Sequence, residues 1–162
     1  MLAQRTGRPT FLMTRGIDTR VFSPQLRRRN DSAFVIGYVG RLSTEKNVRM
    51  PAALENRLVQ AGVTGYRFLV VGEGADRVWL RASLRNAELP GVLCGEELAR
   101  AYASMDVFVF PSTTDTFGNV VLEAMASGVP PVVTDRGGPQ FLVDQGTTGF
   151  GERRGGSHVR GS

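Results

Sequence analysis

The most constraining stretch is residues 106–128, DVFVFPSTTDTFGNVVLEAMASG. Val107-Phe108-Val109-Phe110 is a short, unbroken apolar run of β-branched and aromatic residues, the composition of a strand buried on both faces. Pro111 cannot donate to a ladder and ends it, and a polar Ser/Thr/Asp loop follows. The chain then enters an apolar, alanine-bearing helix that stops at Gly128. A strand feeding a loop and then a helix start is a ready anion site, because the first N–H groups of a helix lack internal partners. Asp115 and Glu123 stand eight residues apart across that loop-to-helix junction.

The same punctuation recurs along the chain. Residues 33–40 (AFVIGYVG) and 66–71 read as strands, 92–94 as a short strand, and 130–134 as another. Helices are expected from about Pro51, over 75–87 with Val78, Trp79, Ala82 and Leu84 as its apolar side, and over 96–104. After Gly137-Gly138-Pro139 a further loop-to-helix step is expected to bury Phe141, Leu142 and Val143. Residues 1–32 read as irregular, with residues 16–24 forming a turn pinned to a core. The turn-rich stretch 145–150 precedes a disordered tail over 151–162. Strands alternating with helices predict an α/β domain, a doubly wound, Rossmann-like parallel sheet over 33–150. Ligands of such sheets bind beyond the carboxyl ends of the strands, which gathers the loops 40–47, 72–76, 112–119 and 135–139.

Composition narrows the partners. The chain has 162 residues, is 41% apolar and 22% charged, and contains one cysteine, Cys94, so no internal disulfide is possible. Neither a signal peptide nor a spanning segment is apparent, and a cytoplasmic setting is expected. Residues 1–50 hold ten basic against three acidic side chains, densest at Arg27-Arg28-Arg29. That cluster reads as a solvated surface loop, with anionic lipid or nucleic acid as the less favoured use. Nineteen of the twenty basic residues are arginine, which singles out Lys46.

Arg41 and Lys46 share the loop after the first strand, as a guanidinium fork and a point charge. They are either two solvated loop charges or a clamp for a diphosphate. The helix start at Phe117-Gly118-Asn119 favours the second, since Gly118 admits close backbone approach and the helix dipole favours negative charge. Glu123 follows Val120, Val121 and Leu122, so it is expected to be half-buried and in need of a partner. A backbone amide, an arginine or a pair of sugar hydroxyls would serve. It lies six residues past Phe117, roughly 9 Å along a helix, a fitting offset between a diphosphate and its ribose. Asp115 is either an N-cap or a ligand for hydroxyls. No phosphate loop ending in Gly-Lys-Ser/Thr occurs, and no Asp-x-Asp pair offers metal ligands. His158, the one histidine, lies in the tail, which argues against Ser/His or Cys/His chemistry.

The ordered set GIDTRVFSP, GYVGRLSTEKN, FLVVGEGADR, ELARAYASMDVFVFPSTTDTFGNVVLEAMASGVPPVVT, GGP and GTTGF, across residues 16–150, resembles the C-terminal, donor-binding domain of group 1 retaining glycosyltransferases of GT-B architecture. The resemblance implies a domain that binds a nucleotide-diphosphate sugar and transfers a hexose without a metal or cofactor. Arg41 and Lys46 fall on the diphosphate-holding positions, Glu123 on a ribose ligand, and Phe117, Gly118 and Asn119 on the turn that meets phosphate and sugar. Gly40, Gly72, Asp115 and Thr116 complete the implied substrate-binding set; Arg41, Lys46, Asp115 and Glu123 are its catalytic members. The family's two glutamates appear here as Asp115 and Glu123, with a shorter first carboxylate, and 92–99 is short where relatives approach the nucleobase.

Family members have a second, acceptor-binding half, so residues 1–32 are expected to be a former interdomain linker. The chain alone is expected to bind donor weakly and to transfer poorly. A lipid acceptor or the basic N-terminal segment would give peripheral membrane contact, and no nucleic-acid partner is expected. The competing readings are a non-enzymatic nucleotide-sugar binding module and a basic nucleic-acid or membrane-surface protein.

Overall fold

The computed structural model describes residues 16–114, 118–134 and 138–151. Six parallel strands form one sheet: β1 (Phe34–Val39), β2 (Tyr66–Val71), β3 (Ala87–Gly91), β4 (Val107–Phe110), β5 (Pro131–Val133) and β6 (Phe150–Gly151), in the spatial order β3-β2-β1-β4-β5-β6. Four helices connect them: α1 (Met50–Gln60), α2 (Arg77–Ser83), α3 (Gly95–Ala103) and α4 (Asn119–Ala126). The expected doubly wound, Rossmann-like sheet is therefore the fold.

Period-two alternation sorts the central strands onto two cores. Val35 and Val39 of β1, Leu69 and Val71 of β2, and Phe108 and Phe110 of β4 face Tyr102 of α3 and Val121 and Ala124 of α4. Ile36, Tyr38, Phe68, Val70 and Val109 face the opposite way, against Ala52 of α1 and Leu80 of α2. Burial on both faces explains why β1, β2 and β4 read as continuous apolar runs. Chain order reverses between β1 and β4, which pair through Ile36↔Val107 and Gly37↔Phe108. That reversal splays the connections apart and opens a crevice at the carboxyl edge.

The local departures have physical causes. The helix expected over 75–87 is only Arg77–Ser83, because Leu84 turns extended (φ −92°, ψ 131°) and buried Glu55 accepts from the Arg85 amide at 2.8 Å and the Asn86 amide at 3.4 Å. Those amides thus leave the helix for a carboxylate. Its buried face is carried by Leu80, with Leu84 just beyond it, while Val78 points to solvent and Trp79 lies under the Arg49 guanidinium, 4.7 Å from the ring centroid. The strand expected at 92–94 is instead Ala87–Gly91, an edge strand in which Pro90 is tolerated. The step after Gly138 is a short 3₁₀ turn, Gly138–Leu142; Phe141 is exposed rather than buried, and Leu142 and Val143 are partly buried against the core. Phe150 and Gly151 add a sixth strand where a turn and the start of a tail were expected.

Part of the basic cluster is structural. Arg27 donates to the Met105 carbonyl at 2.9 Å and to Asp106 Oδ1 at 2.5 Å, while Arg29, with a side chain 11% exposed, reaches Asp106 Oδ2 at 2.9 Å. Asp106 also accepts from the Val35 amide at 2.8 Å. Only Arg28 of the three fits the solvated reading without such a partner being found among these contacts. Phe22, in the same segment, packs edge-on against Tyr102 at 5.8 Å. Residues 16–32 thus lie against α3 and the start of β4, pinned as the turn reading expected.

Candidate functional site: the carboxyl edge of the sheet

The loops after β1 and β2 are tied into one rigid lip. The Gly40 amide donates to the Val71 carbonyl at 3.0 Å, the Leu42 amide to Glu73 at 2.9 Å, and the Asp76 amide returns to the Leu42 carbonyl at 3.0 Å. Gly72 has φ +136°, and a Cβ there would collide with the Gly40 carbonyl oxygen. Close backbone approach requires glycine at that point. Buried Asp76 anchors the following turn: Thr44 Oγ1 donates to its Oδ2 at 2.8 Å and Arg49 to its Oδ1 at 3.2 Å. These bonds hold the 3₁₀ turn Thr44–Lys46, which ends in left-handed Asn47 (φ 52°).

Arg41 leaves this lip with a side chain 72% exposed, in a loose pair with Glu45 at 3.6 Å. Such an exposed pair contributes little to stability and leaves the guanidinium accessible to an anion. A cleft of about 270 Å³ opens alongside, lined by Gly40, Arg41, Gly72, Glu73, Leu93 and Leu98 among others. The structure thus brings Gly40, Arg41 and Gly72 to one cavity and places Lys46 on the turn that Asp76 anchors.

Across the strand reversal, α4 begins at Asn119 with Gly118 at its N-cap (φ 58°, ψ 41°). Gly118 thus holds the N-cap position, and Asp115, Thr116 and Phe117 lie outside the described residues. Gly118 has no side chain to cap the helix, and among the described residues Asn119 Oδ1 is buried without a hydrogen-bond partner. A Cβ on Gly118 would approach Pro139 Cγ to 2.9 Å, so the 3₁₀ turn at Gly138–Leu142 packs tightly on this helix start.

Glu123 is half-buried on α4, as its apolar neighbours required, and its partner among the described residues is a phenol rather than a backbone amide or an arginine. The Tyr102 hydroxyl donates to Glu123 Oε2 at 2.8 Å. Burial pushes the Glu123 carboxyl above the usual range, and the Tyr102 hydrogen bond only partly opposes that shift. Burial, helped by the carboxylate beside it, pushes the Tyr102 phenol far up, so it remains a donor. Tyr102 and Asp76 were missed as site-building residues. The one available signal for Tyr102 was the expected half-burial of Glu123, which demanded a donor without saying which.

Comparison with known proteins names this arrangement. The family model "Glycosyl transferases group 1" matches residues 33–154. The chain is 42% identical over 144 residues to a GDP-mannose-dependent alpha-mannosyltransferase of Mycobacterium tuberculosis, covering 84% of this chain and 36% of that protein. It is 44% identical over 143 residues to its counterpart of the same name in Mycolicibacterium smegmatis, again covering 84% and 36%. Among solved structures, it is similar to the C-terminal domain of a group 1 glycosyl transferase from Francisella tularensis (TM-score 0.66, 22% identity, 85% of this chain and 80% of that one). It is also similar to the pneumococcal O-GlcNAc transferase GtfA in complex with UDP and GlcNAc (TM-score 0.69, 22% identity, 86% and 28%).

The chain belongs to the group 1 glycosyltransferase family, and its fold is that of one half of the GT-B enzymes. It spans about a third of the length of the curated relatives it matches. Among the described residues no helix is long and apolar enough to cross a membrane.

Proposed function

We propose that this chain is the donor-binding half of a retaining, metal-independent hexosyltransferase, with GDP-mannose as the first donor to test. The observation that carries this reading is the carboxyl-edge cleft that Gly40, Arg41 and Gly72 line, together with the half-buried Glu123 on α4, the helix that follows β4 on the other side of the strand reversal. GDP-mannose comes from the names of the most similar curated relatives. UDP sugars are the second choice, because UDP occupies several enzymes of the same fold.

In this reading the ribose hydroxyls donate to Glu123, and Arg41, Lys46 and the first amides of α4 surround the diphosphate. As the glycosidic bond breaks, negative charge grows on the departing nucleoside diphosphate. Cations and helix-end amides already in place stabilise that charge without reorganising. Asp115 would bind hydroxyls of the transferred sugar. The acceptor and its deprotonating group come from a second domain, so this half alone binds donor but transfers poorly.

Calorimetric titration of the chain with GDP-mannose and UDP-glucose tests the reading. Binding that Glu123→Ala abolishes is expected, with product formation absent until an acceptor domain is supplied. No binding to either donor overturns it. Tight binding with no transfer in any reconstituted enzyme favours a non-enzymatic module. Anomeric NMR of the reconstituted product tests retention, and unchanged rates in a chelator test metal independence.

A further inference from the structure

Glu123 is a flexible side chain on a helix that is otherwise apolar at this point, and its last torsion has a broad, roughly two-fold profile. Left alone, its carboxylate would swing between orientations. Tyr102 removes that freedom by donating to Oε2 at 2.8 Å from a different helix, 21 residues earlier in the chain. The tyrosine itself cannot move to follow. It is fully buried, set edge-on to Phe22 at 5.8 Å and tilted against Phe108 at 5.7 Å. Phe108 sits on β4, the strand that leads into the site, and Phe22 on the segment that Arg27 and Arg29 fasten to the same region. The donor is therefore bolted to the sheet.

The consequence is chemical. An ionised carboxylate only accepts hydrogen bonds, and here one oxygen is taken by a fixed phenol. No hydrogen bond to Oε1 is found among the described residues, which leaves the second oxygen as the acceptor an incoming donor would use.

We propose that Tyr102 is a positioning residue for ribose recognition, holding Glu123 Oε2 so that Oε1 meets the vicinal hydroxyls of the nucleotide. This rests on the nucleotide reading of Glu123 given above. Tyr102 touches no ligand and acts only through the carboxylate.

The test compares GDP with 2′-deoxy-GDP by calorimetry on the unaltered chain, Tyr102→Phe, Glu123→Gln and the double variant. A charge-assisted hydrogen bond to a ribose hydroxyl should give the unaltered chain a preference for GDP of about tenfold or more. Tyr102→Phe keeps the buried ring and should reduce that ratio to within about threefold, chiefly through GDP, while 2′-deoxy-GDP binding changes little. The double variant should lose no more discrimination than Glu123→Gln alone, since both act on one contact. A purely packing role would lower both affinities alike; that result, or an unchanged ratio in Tyr102→Phe, overturns the proposal. Equal binding of GDP and 2′-deoxy-GDP by the unaltered chain overturns the ribose role of Glu123 and the proposal with it. If neither guanosine nucleotide binds, UDP and 2′-deoxy-UDP are compared by the same criteria, and failure of both pairs overturns the proposed function itself.

Discussion

Gly72 and Gly40 meet backbone to backbone at the lip of the cleft: the space a Cβ on Gly72 would need is filled by the Gly40 carbonyl oxygen. The Gly40 amide donates to Val71, the residue before Gly72, so the two strand ends are clamped together. Gly72→Ala should therefore cost roughly 2–4 kcal/mol, from a backbone collision added to a φ of +136°. Urea unfolding would check it, and a loss under about 0.5 kcal/mol would mean the lip can widen.

Asp106 and Glu123 should respond to acid in opposite senses. For Asp106, burial alone would raise the pKa, but the Val35 amide, Arg27 and Arg29 outweigh it and hold the group below the aspartate range. Its folded pKa lies below the unfolded value, so its stabilisation is complete above the ordinary aspartate pKa and is lost as pH falls through the folded one. Asp106→Asn leaves the poorly exposed Arg29 without its main counter-ion and should cost roughly 2–3 kcal/mol at neutral pH. Denaturant midpoints measured between about pH 5 and pH 2.5 should fall less steeply for the variant than for the parent.

Glu123 runs the other way. Its folded pKa is raised, so protonating it favours the folded state, and that contribution disappears as pH rises through the raised value. In the proposed ribose role, donor binding uses the ionised form. Affinity for GDP-mannose should therefore begin to fall with decreasing pH earlier than an ordinary glutamate would dictate. Glu123→Gln should bind weakly with no such step, and an identical pH profile in parent and variant would assign the step elsewhere.

The proposed role of Arg41 and Lys46 is tested by which part of the nucleotide loses affinity. Arg41→Ala should weaken GDP and GDP-mannose by about tenfold while leaving guanosine unaffected, because in the proposed role the guanidinium holds only the diphosphate. Its exposed pair with Glu45 means that thermal stability should change by less than about 0.5 kcal/mol. Lys46→Ala should show the same selectivity. Equal losses for guanosine and GDP would place these cations away from the phosphates.

Asp76 holds the turn that presents Lys46, through Thr44 and Arg49. Asp76→Ala removes a buried acceptor from two donors and should cost roughly 1–3 kcal/mol. Faster proteolysis within residues 41–49 should accompany it. Unchanged cleavage there would show that the Gly40–Val71 and Leu42–Glu73 backbone bonds suffice to hold the turn.

The order of elements was legible because its signals are local. β1, β2 and β4 are buried on both faces, so each appears as an apolar run that needs no knowledge of its neighbours. Gly128 and Pro111 punctuate α4 and β4 from within a few residues. Where long-range partners decide, sequence reading failed. The early end of α2 depends on Glu55, some thirty residues back in the chain, and β3 exists only because β2 offers it a ladder.

The candidate site divides along the same line. Arg41, Lys46, Gly118 and Glu123 could be named from residue type and from their places after strand ends, since chemistry and loop position are written in the chain itself. That Glu123 would be half-buried followed from its neighbours on one helix. Its donor is Tyr102, on another helix, and the cations of 27–29 close on Asp106, more than seventy residues away. Hydrogen bonds and ion pairs require atoms within about 3–4 Å, and only the folding of the sheet brings such distant residues that close. Residue type and loop position are written in the chain, whereas the contacts that hold each group exist only once the sheet has folded.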